Sequence, residues 1–405
     1  MKILVVCQHY WPEPYPLQDI CEELVVRGHE VHVVTGVPNY PMGIIYPEYA
    51  KGKNRCQVHN GVSIKRTFTI GRRKNVLFRI LNYCSYAISS CVHISRMKEE
   101  YDVVFACQTS PVIMSAAALK YAGKHGKKSV LYCMDLWPAS LTVGGIREDG
   151  LIYRILGWAS KQIYTRADRI LITSEMFREY MNREFGIVNE KIDYLPQHAD
   201  SVFQYEPMAE EKDTVDLMFA GNVGKAQSID TILRAAKLLE QHRELRWHIV
   251  GDGSELESCR KLAQRLQLEN VLFHGRRPQE EMPDCYALAD AMLITLTGDP
   301  YISHTLPRKV QTYMAAGKPI VGAANGEIPK TIAKCGCGYC GPAEDPQGLA
   351  DAVLEFLNCE DKARLGRNAR RYYEENFTRS EFMDRIEKEL LEAAGCAASR
   401  SVQHA

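Results

Sequence analysis

The feature that most constrains the fold is a regular alternation of short apolar runs with amphipathic helical segments. KILVVC, near the N-terminus, is rich in β-branched residues and predicts a strand, and LQDICEELVVRG after it has the 3.6-residue period of a helix. The alternation continues to about residue 195 and starts again at VDLMFAGN. Because strands that alternate with helices are typical of parallel α/β sheets, the sequence predicts two α/β series.

Length and composition divide the chain between these two series. At 405 residues, the chain is longer than a single hydrophobic core usually serves, and VFQYEPMAEEKDT is acidic, polar and without hydrophobic period. We therefore predict two Rossmann-like parallel-sheet domains facing a cleft, with ligands at the carboxyl ends of the strands. The predicted boundaries are 1–200 for the N-terminal domain, 201–214 for a linker, 215–379 for the C-terminal domain, and 380–405 for a helix and tail that could return to the N-terminal domain.

Basic residues are concentrated in the first half, although the formal net charge is zero. The segment Lys51–Lys98 contains eleven basic residues and no acidic one, which favours a phosphate-rich partner such as a membrane surface, a lipid-linked phosphate or a nucleic acid. Arg72, Arg73 and Lys74 open a helical stretch with an apolar stripe, formed by Val76, Ile80, Tyr83, Cys84, Ala87 and Cys91. The combination indicates peripheral contact with an acidic membrane, but such a stripe also fits a helix packed on its own domain. A nucleic-acid partner is the weaker interpretation, because no recognised reading module is present.

The cysteines and the N-terminus indicate a reducing cytoplasm. The fourteen cysteines do not form a disulfide framework in a chain of this length, and no run reaches the roughly 18 apolar residues of a membrane-spanning helix. We expect no signal peptide, because a small-residue cleavage site is lacking. The thiols of CGCGYC are interpreted as incidental members of a Gly-rich turn, with a metal site as the alternative. The histidines lack metal-ligand spacing, so no metal is expected.

Glycine-containing turns follow two strands of the second series. Gly221 and Gly224 in MFAGNVGKAQSID stand where backbone N–H groups can approach a phosphate at the positive end of a helix, although an ordinary strand–helix turn fits as well. IVGDGSELE is a similar turn that we interpret as structural, because its carboxylates would repel phosphate. FHGRRP ends a strand with Arg276 and Arg277, which suit either a nucleotide base or a solvated basic turn.

Two further segments carry candidate catalytic residues. Asp135 in YCMDLWPASL follows an apolar strand, where a carboxylate could orient or deprotonate a hydroxyl, or could instead cap the next helix. In TLPRKVQTYMAAGKPIVG, Pro307 is expected as the first helical residue, so that Arg308 and Lys309 fall in the first turn. Because the helix dipole disfavours cations there, a bound anion would turn this local penalty into a favourable interaction.

The order of these segments resembles the retaining glycosyltransferases of family 4, which have the two-domain GT-B fold. The resemblance covers nearly the whole chain and is carried by LVVRGHEVHVVT, by the run from GDGSELE to ADAMLI, and by MAAGKPIV. A narrower resemblance is to the bacterial branch that builds capsule, colanic-acid and O-antigen polysaccharides, including N-acetyl-fucosamine transferases. That likeness is carried by TGVPNYPMGIIYPEY, TSPVIMSAAAL, DLWPASL, GNVGKAQSID and LPRKVQTYMAAGKPI.

The resemblance implies a set of donor-binding positions, several of which depart from the family pattern. Asn222 and Gln227 stand where many members have an arginine and a lysine for the diphosphate, and His304 and Thr312 stand where many have two glutamates. Met134 replaces a histidine often found before the aspartate. The expected donor-binding residues are Gly221, Asn222, Gly224, Gln227, Arg276, Arg277, His304, Arg308 and Thr312.

The resulting hypothesis is a metal-independent retaining transfer from a nucleotide diphosphate sugar, expected to be a UDP-N-acetylamino-deoxysugar, to a lipid-diphosphate-linked sugar. Lys309, helped by Arg308, would neutralise the leaving diphosphate, and Asp135 would act on the acceptor hydroxyl. No cofactor is expected, and the resemblance implies a cytoplasmic protein, peripheral on the inner face of the plasma membrane. Two other functions stay open, namely a UDP-sugar 2-epimerase of the same fold and a non-catalytic sugar-nucleotide-binding subunit.

Overall fold

The computed structural model describes residues 1–73, 75–143, 145–199 and 213–396. Lys74, residues 201–212 of the predicted linker and the tail after residue 396 lie outside the described residues. The chain forms two compact units, which are described separately below. The first contains Met1–Thr173, Phe177–Leu195 and the chain from Met383 onward, and the second contains Ser174–Met176 and Pro196–Phe382.

The first unit is an α/β layer structure built on one sheet. Its strands are β1 (Lys2–Val6), β2 (Glu30–Thr35), β3 (Cys56–His59), β4 (Val62–Arg66), β5 (Val103–Gln108), β6 (Lys128–Cys133), β7 (Arg169–Ile172) and β8 (Ile192–Tyr194). Its main helices are α1 (Leu17–Val26), α2 (Val76–Arg96), α3 (Ala116–His125), α4 (Leu151–Arg166) and α5 (Met176–Tyr180). Within the described ranges, the strand order is β3-β4-β2-β1-β5-β6-β7-β8, with every neighbouring pair parallel except β3 and β4.

The second unit has a smaller, wholly parallel sheet in the order β11-β10-β9-β12-β13-β14. These strands are β9 (Val215–Ala220), β10 (Leu245–Val250), β11 (Val271–Gly275), β12 (Ala291–Thr295), β13 (Ile320–Ala323) and β14 (Gly338–Gly341). The helices of this part of the chain are α6 (Ile229–Leu238), α7 (Leu256–Arg265), α8 (Met282–Leu288), α9 (Pro300–Ser303), α10 (Arg308–Ala315), α11 (Glu327–Cys335), α12 (Pro346–Leu357) and α13 (Lys362–Asn376). A last helix, α14 (Arg379–Ala394), belongs to the first unit from Met383 onward.

The core of the second unit shows why its strands read as continuous apolar runs. Leu217 and Phe219 of β9 pack in one buried cluster, and Met218 and Ala220 pack in another. Alternate side chains of a strand point to opposite faces, so helices on both sides of the sheet bury every position. The predicted class, two parallel-sheet α/β domains, is confirmed.

Two strands differ from the predictions. β3 and β4 form an antiparallel hairpin, in which Asn60 and Gly61 have φ angles of 46° and 80°. Asn-Gly is the preferred dipeptide for a two-residue hairpin turn, a signal that the prediction missed. The interpretation of CGCGYC as a turn was wrong at its end, where β14 pairs with β13. A Cβ on Gly338 would lie 1.8 Å from the carbonyl oxygen of Ile320, so glycine permits this close pairing.

Candidate functional site

An open cavity of about 750 Å³ lies at the carboxyl ends of β9, β10 and β11 in the second unit. Three turns that leave these strands contribute most of the lining, and α8 contributes the rest. The lining residues are Ala220, Gly221, Asn222, Val250, Gly251, Asp252, Gly253, Arg276, Arg277, Met282 and Tyr286. The carboxyl edge of a parallel sheet is where such folds bind their ligands, so this cavity is the candidate donor site.

Glycines allow two of the lining turns to contact each other closely. Gly221 and Gly251 both have a φ of 143°, a conformation that side-chain-bearing residues rarely adopt. A Cβ on Gly251 would lie 1.8 Å from the carbonyl oxygen of Gly221, and a Cβ on Gly253 would lie 2.3 Å from that of Val223. The turn in IVGDGSELE therefore has the structural role that the sequence indicated. It also lines the cavity, which the sequence interpretation missed.

Lys309 reaches the first of these turns from α10. The helix begins at Arg308, one residue later than expected, because Pro307 keeps an extended ψ of 139° and occupies the N-cap. A Cβ on Gly221 would lie 3.0 Å from Lys309 Nζ, and the Phe219 ring centre lies 4.2 Å from the same atom.

The ammonium group of Lys309 is buried, and the face of the Phe219 ring compensates for that burial only in part. Among the residues that the structure describes, none forms a hydrogen bond with its Nζ atom. Burial lowers the pKa of Lys309 to about 8. A buried cation that is only partly compensated is costly, and an anion at the Gly221 turn would remove that cost. The site is thus suited to an anionic group.

Asn222 and Gln227, which replace the family's cations, form a pair with each other. Asn222 Nδ2 donates to Gln227 Oε1 at 3.3 Å, and a Cβ on Gly224 would lie 2.6 Å from Asn222 Nδ2. The pair covers the Gly221–Gly224 turn with neutral amides. Lys309 Nζ is the buried cation that the structure places beside Gly221, and the exposed Lys225 follows Gly224.

Five of the expected donor-binding residues do not line the cavity, namely Gly224, Gln227, His304, Arg308 and Thr312. Arg308 Nε donates to the carbonyl oxygen of His198 at 3.1 Å, and Thr312 Oγ1 donates to that of Arg308 at 3.1 Å. His304 accepts a 2.5 Å hydrogen bond from Ser174 Oγ through its carbonyl oxygen. The structure therefore places Gly221, Asn222, Arg276 and Arg277 in the lining, with Lys309 Nζ beside Gly221, and leaves Gly224, Gln227, His304, Arg308 and Thr312 outside it.

In the first unit, Asp135 is half-buried directly after β6. Trp137 Nε1 donates to Asp135 Oδ2 at 3.2 Å and to Ser110 Oγ at 2.7 Å. The interpretation of Asp135 as a helix N-cap was wrong, because the next helical turn is the 3₁₀ segment Ala139–Leu141, preceded by Pro138. Its carboxylate stands instead at the carboxyl edge of the sheet, the position suited to a reacting hydroxyl.

Arg72 and Tyr83 lie near Asp135. The guanidinium carbon of Arg72 is 5.8 Å from the Tyr83 ring centre. Burial raises the pKa of Tyr83; the negative charge of Asp135 adds to the rise, and the positive charge of Arg72 opposes it. Arg73 lies over the Phe78 ring at 4.3 Å. Of the expected acceptor-side cations, Arg72 thus lies near Asp135, Arg73 lies against Phe78, and Lys74 lies outside the described residues.

A buried pair at the same edge was missed by the sequence prediction. His9 Nδ1 lies 3.0 Å from Glu13 Oε2, and Glu13 Oε1 accepts hydrogen bonds from the backbone N–H groups of Asn39 and Tyr40. The His9 ring stacks on Tyr15 with ring centres 5.0 Å apart. The signal that could have revealed this pair is HYWPEPY, a polar and aromatic run directly after β1.

Two parallel α/β units with polar sites at the carboxyl edges of their sheets are the architecture of the GT-B glycosyltransferases, and this chain is an enzyme of that class. Its sequence matches the Glycosyltransferase Family 4 model over residues 17–201 and the Glycosyl transferases group 1 model over residues 204–372. The two matched ranges coincide closely with the two series of strands and helices.

Similar proteins support the same classification. The probable glycosyltransferase WbjE of Pseudomonas aeruginosa is 29% identical over 327 residues, covering 77% of this chain and 80% of WbjE. The putative colanic acid biosynthesis glycosyl transferase WcaI of Escherichia coli K12 is 22% identical over 381 residues, covering 88% of this chain and 92% of WcaI. Among solved structures, Anabaena Alr3699/HepE in complex with UDP aligns with a TM-score of 0.71 at 15% identity, covering 97% of this chain and 100% of that one.

Proposed function

We propose that the protein transfers a sugar, expected to be an N-acetylamino-deoxysugar, from a UDP donor to a lipid-diphosphate-linked sugar during bacterial surface polysaccharide synthesis. The name of WcaI, which refers to colanic acid biosynthesis, supports the polysaccharide, and the UDP complex of HepE supports the nucleotide. The donor binds in the cavity of the second unit, and the acceptor binds at the Asp135 edge of the first.

The observation that carries the proposal is the unpartnered Lys309 ammonium beside the Gly221 turn. A diphosphate at this turn meets backbone N–H groups, the positive end of α10 and one cation. Arg276 and Arg277 lie across the cavity, where they favour the same negative ligand. The arrangement compensates for the neutral Asn222–Gln227 pair, because Lys309 brings a buried positive charge to Gly221 from α10.

In the proposed reaction, retention is what the family resemblance implies. The bond between the anomeric carbon and the β-phosphate oxygen breaks, and a bond from that carbon to the acceptor hydroxyl oxygen forms. The hydroxyl proton passes to the leaving phosphate, so the products are UDP and the glycosylated acceptor. Lys309 stabilises the charge that develops on the leaving phosphate, and a preorganised charge of this kind commonly contributes about 3 kcal/mol. Attack on the face that the leaving group departs from retains the anomeric configuration.

Asp135 orients the acceptor in this proposal. Its Oδ2 is held by the Trp137 indole N–H, which fixes the carboxylate toward the edge of the sheet. Arg72 and Arg73 attract the acceptor diphosphate, and the basic segment Lys51–Lys98 favours the inner leaflet where such lipids reside.

A donor and acceptor panel tests the function. The purified protein is titrated calorimetrically with UDP- and GDP-sugars. It is then incubated with each donor that binds and with a lipid-diphosphate sugar, and the masses of the products are measured by mass spectrometry. We expect one UDP-sugar to bind and the acceptor to gain one sugar residue. An altered donor sugar without any acceptor would show an epimerase instead. Donor binding without transfer to any acceptor would show a binding subunit, and either result contradicts the proposal.

A further inference from the structure

Helix α2 buries a polar face and exposes an apolar one. Its buried residues are Asn82, Tyr86, Ser90 and Ile94, and Asn82 is fully buried between Gln8 Nε2, which donates to it, and the carbonyl oxygen of Ile70, which accepts from it. On the outer side, Val76 is 65% exposed and Ile80 52% exposed. The alternative that the stripe packs on its own domain is therefore wrong for its first two turns. Inverted amphipathicity of this kind indicates that another apolar phase covers the helix.

Helix α4 exposes a second apolar surface, which the sequence reasoning did not identify. Its inner face is formed by Ser160, Ile163 and Tyr164, and its outer face carries the exposed side chains of Leu151, Ile152, Ile155 and Trp158. Trp158 is 66% exposed. Basic residues occur along the helix at Arg154, Lys161 and Arg166, and no acidic residue occurs between Leu151 and Arg166.

Both helices lie on one side of the first sheet. The chain steps in the same direction across the sheet from β4 through α2 to β5 and from β6 through α4 to β7, and right-handed crossovers place both helices on the same face. Both also contact the 3₁₀ turn Val112–Ser115 between them. Each begins at the carboxyl edge of the sheet, the edge that carries Asp135.

A loop from the same edge extends this surface. Met42 and Ile44, after β2, are 73% and 68% exposed. Arg73 N donates to the carbonyl oxygen of Gly43 at 2.7 Å, so the loop lies directly against the start of α2. The resulting surface, called the membrane face below, combines exposed apolar side chains with arginines and consists of Met42, Ile44, Arg72, Arg73, Val76, Leu77, Arg79, Ile80, Leu81, Leu151, Ile152, Arg154, Ile155 and Trp158.

We propose that the membrane face inserts into the headgroup layer of an anionic phospholipid bilayer, with α4 as a second anchor beside α2. The inference rests on the proposed function, because insertion of the membrane face would hold the Asp135 edge at the depth of the diphosphate of a lipid-linked acceptor. Arginines beside aliphatic side chains match anionic headgroups above acyl chains, and an exposed indole such as that of Trp158 favours the interface between them. A second copy of the chain fits less well, because two such faces would oppose arginine to arginine.

Vesicle flotation tests the face. We expect the full-length protein to float with phosphatidylglycerol–phosphatidylethanolamine vesicles and to bind phosphatidylcholine vesicles at least tenfold more weakly. The double variant Ile155→Ser/Trp158→Ser should lower the partition coefficient for the anionic vesicles on the order of tenfold or more. The matched control Val26→Ser/Val188→Ser removes two exposed apolar side chains elsewhere on the same unit and should float like the unmodified protein. Equal flotation of the α4 variant and the control would overturn the proposal. The proposal would also fail if the unmodified protein bound no vesicles and light scattering showed a dimer that the α4 variant alone does not form.

Tryptophan fluorescence gives a second readout that does not depend on loss of folding. The four tryptophans include two buried ones, Trp137 and Trp247, and Trp11 is half-buried. We expect anionic vesicles to shift the emission to shorter wavelength, and Trp158→Phe to remove most of that shift while vesicles still bind. An undiminished shift in Trp158→Phe would contradict insertion of α4.

The failure of this inference can be told apart from failure of the proposed function. Transfer to a water-soluble, short-chain acceptor does not require the exposed apolar side chains of α4, so the α4 variant should retain it. If the variant floats normally while transfer occurs, the membrane face is wrong and the function stands. If the protein floats as predicted but transfers no sugar to any acceptor, the function is wrong and the membrane face stands.

Discussion

At the scale of single residues, Lys309 gives the donor site a measurable pH dependence. Its pKa of about 8 in the ligand-free protein means that the ammonium loses its proton as the pH rises past that value. A bound diphosphate would favour the charged form and raise the pKa, so binding should take up a proton above pH 8. We expect the affinity for UDP to fall between pH 8 and 10, and calorimetry at pH 8.5 in buffers of different ionisation enthalpy to show uptake of up to one proton. Lys309→Met should abolish the uptake, and an unchanged uptake in that variant would contradict the assignment.

The same residue should lower the stability of the ligand-free protein. Its folded-state pKa lies below the ordinary value of 10.5, so the penalty is fully present below pH 8 and disappears as the pH rises toward 10.5. The difference corresponds to about 3 kcal/mol. At pH 7 we expect Lys309→Met to raise the free energy of unfolding by up to that amount and to lose the increase in Tm that UDP gives. Lys261→Met, at an exposed site, is the control and should change neither quantity.

Sequence reasoning placed Lys309 ahead of Arg308 as the neutralising cation, but it could not show where either side chain points. Both follow Pro307, and the helix dipole penalises both equally. The direction of each side chain depends on how α10 is rotated against the sheet, which is set by packing of Val310 and Tyr313 in the core. The roles of His304 and Thr312 were implied by position alone, and position does not show where their side chains hydrogen-bond.

At the scale of elements, the contact between the Gly221 and Gly251 turns should be essential to the donor site. In Gly251→Ala, the new methyl group would overlap the Gly221 carbonyl oxygen, and the positive φ would be strained as well. We expect loss of UDP binding together with a lower Tm. Gly123→Ala is the matched control in α3, where a Cβ meets nothing within 4 Å, and it should raise stability by about 0.5–1 kcal/mol. Normal UDP affinity in Gly251→Ala would contradict the described turn contact.

Helices and strands could be predicted where the hydrophobic period is strong. The prediction failed where pairing with a neighbouring strand decides whether a segment becomes a strand. β1, β9 and the helices around them follow directly from apolar runs and the 3.6-residue period. β14 is the short segment Gly-Tyr-Cys-Gly, whose two glycines disfavour a strand, and it becomes one because β13 offers hydrogen bonds at close range. For α2, the pattern found the stripe but not its direction, since hydrophobicity alone does not show that Asn82 and Ser90 have partners inside.

At the scale of the whole molecule, the alternation of strands and helices predicted both domains and their class, because that alternation has few topological solutions. The arrangement of acceptor groups at the Asp135 edge was less predictable. His9 follows β1, Arg72 and Tyr83 come from the start of α2 and the residues just before it, and Asp135 follows β6, so the strand order is needed to bring these three segments to one edge. Among the described residues, no helix is long and apolar enough to span a membrane.

The complete reaction should proceed without a divalent metal ion, because Lys309 supplies the positive charge that the leaving phosphate needs. We expect the rate of sugar transfer to be unchanged by EDTA in excess over all divalent ions. Restoration of a lost rate by Mg²⁺ or Mn²⁺ would contradict this prediction and would reassign the neutralising charge to a metal ion.

Turnover of Lys309→Met on a lipid-diphosphate sugar acceptor tests the central claim most directly. The measurement is kcat at saturating UDP-sugar, compared with the unmodified protein under the same conditions, with Lys261→Met as the control. If Lys309 neutralises the leaving diphosphate, kcat should fall about 10²-fold while the protein stays folded and at least as stable as before. A kcat within a few-fold of the unmodified protein would show that the ammonium beside Gly221 does not take part in the transfer.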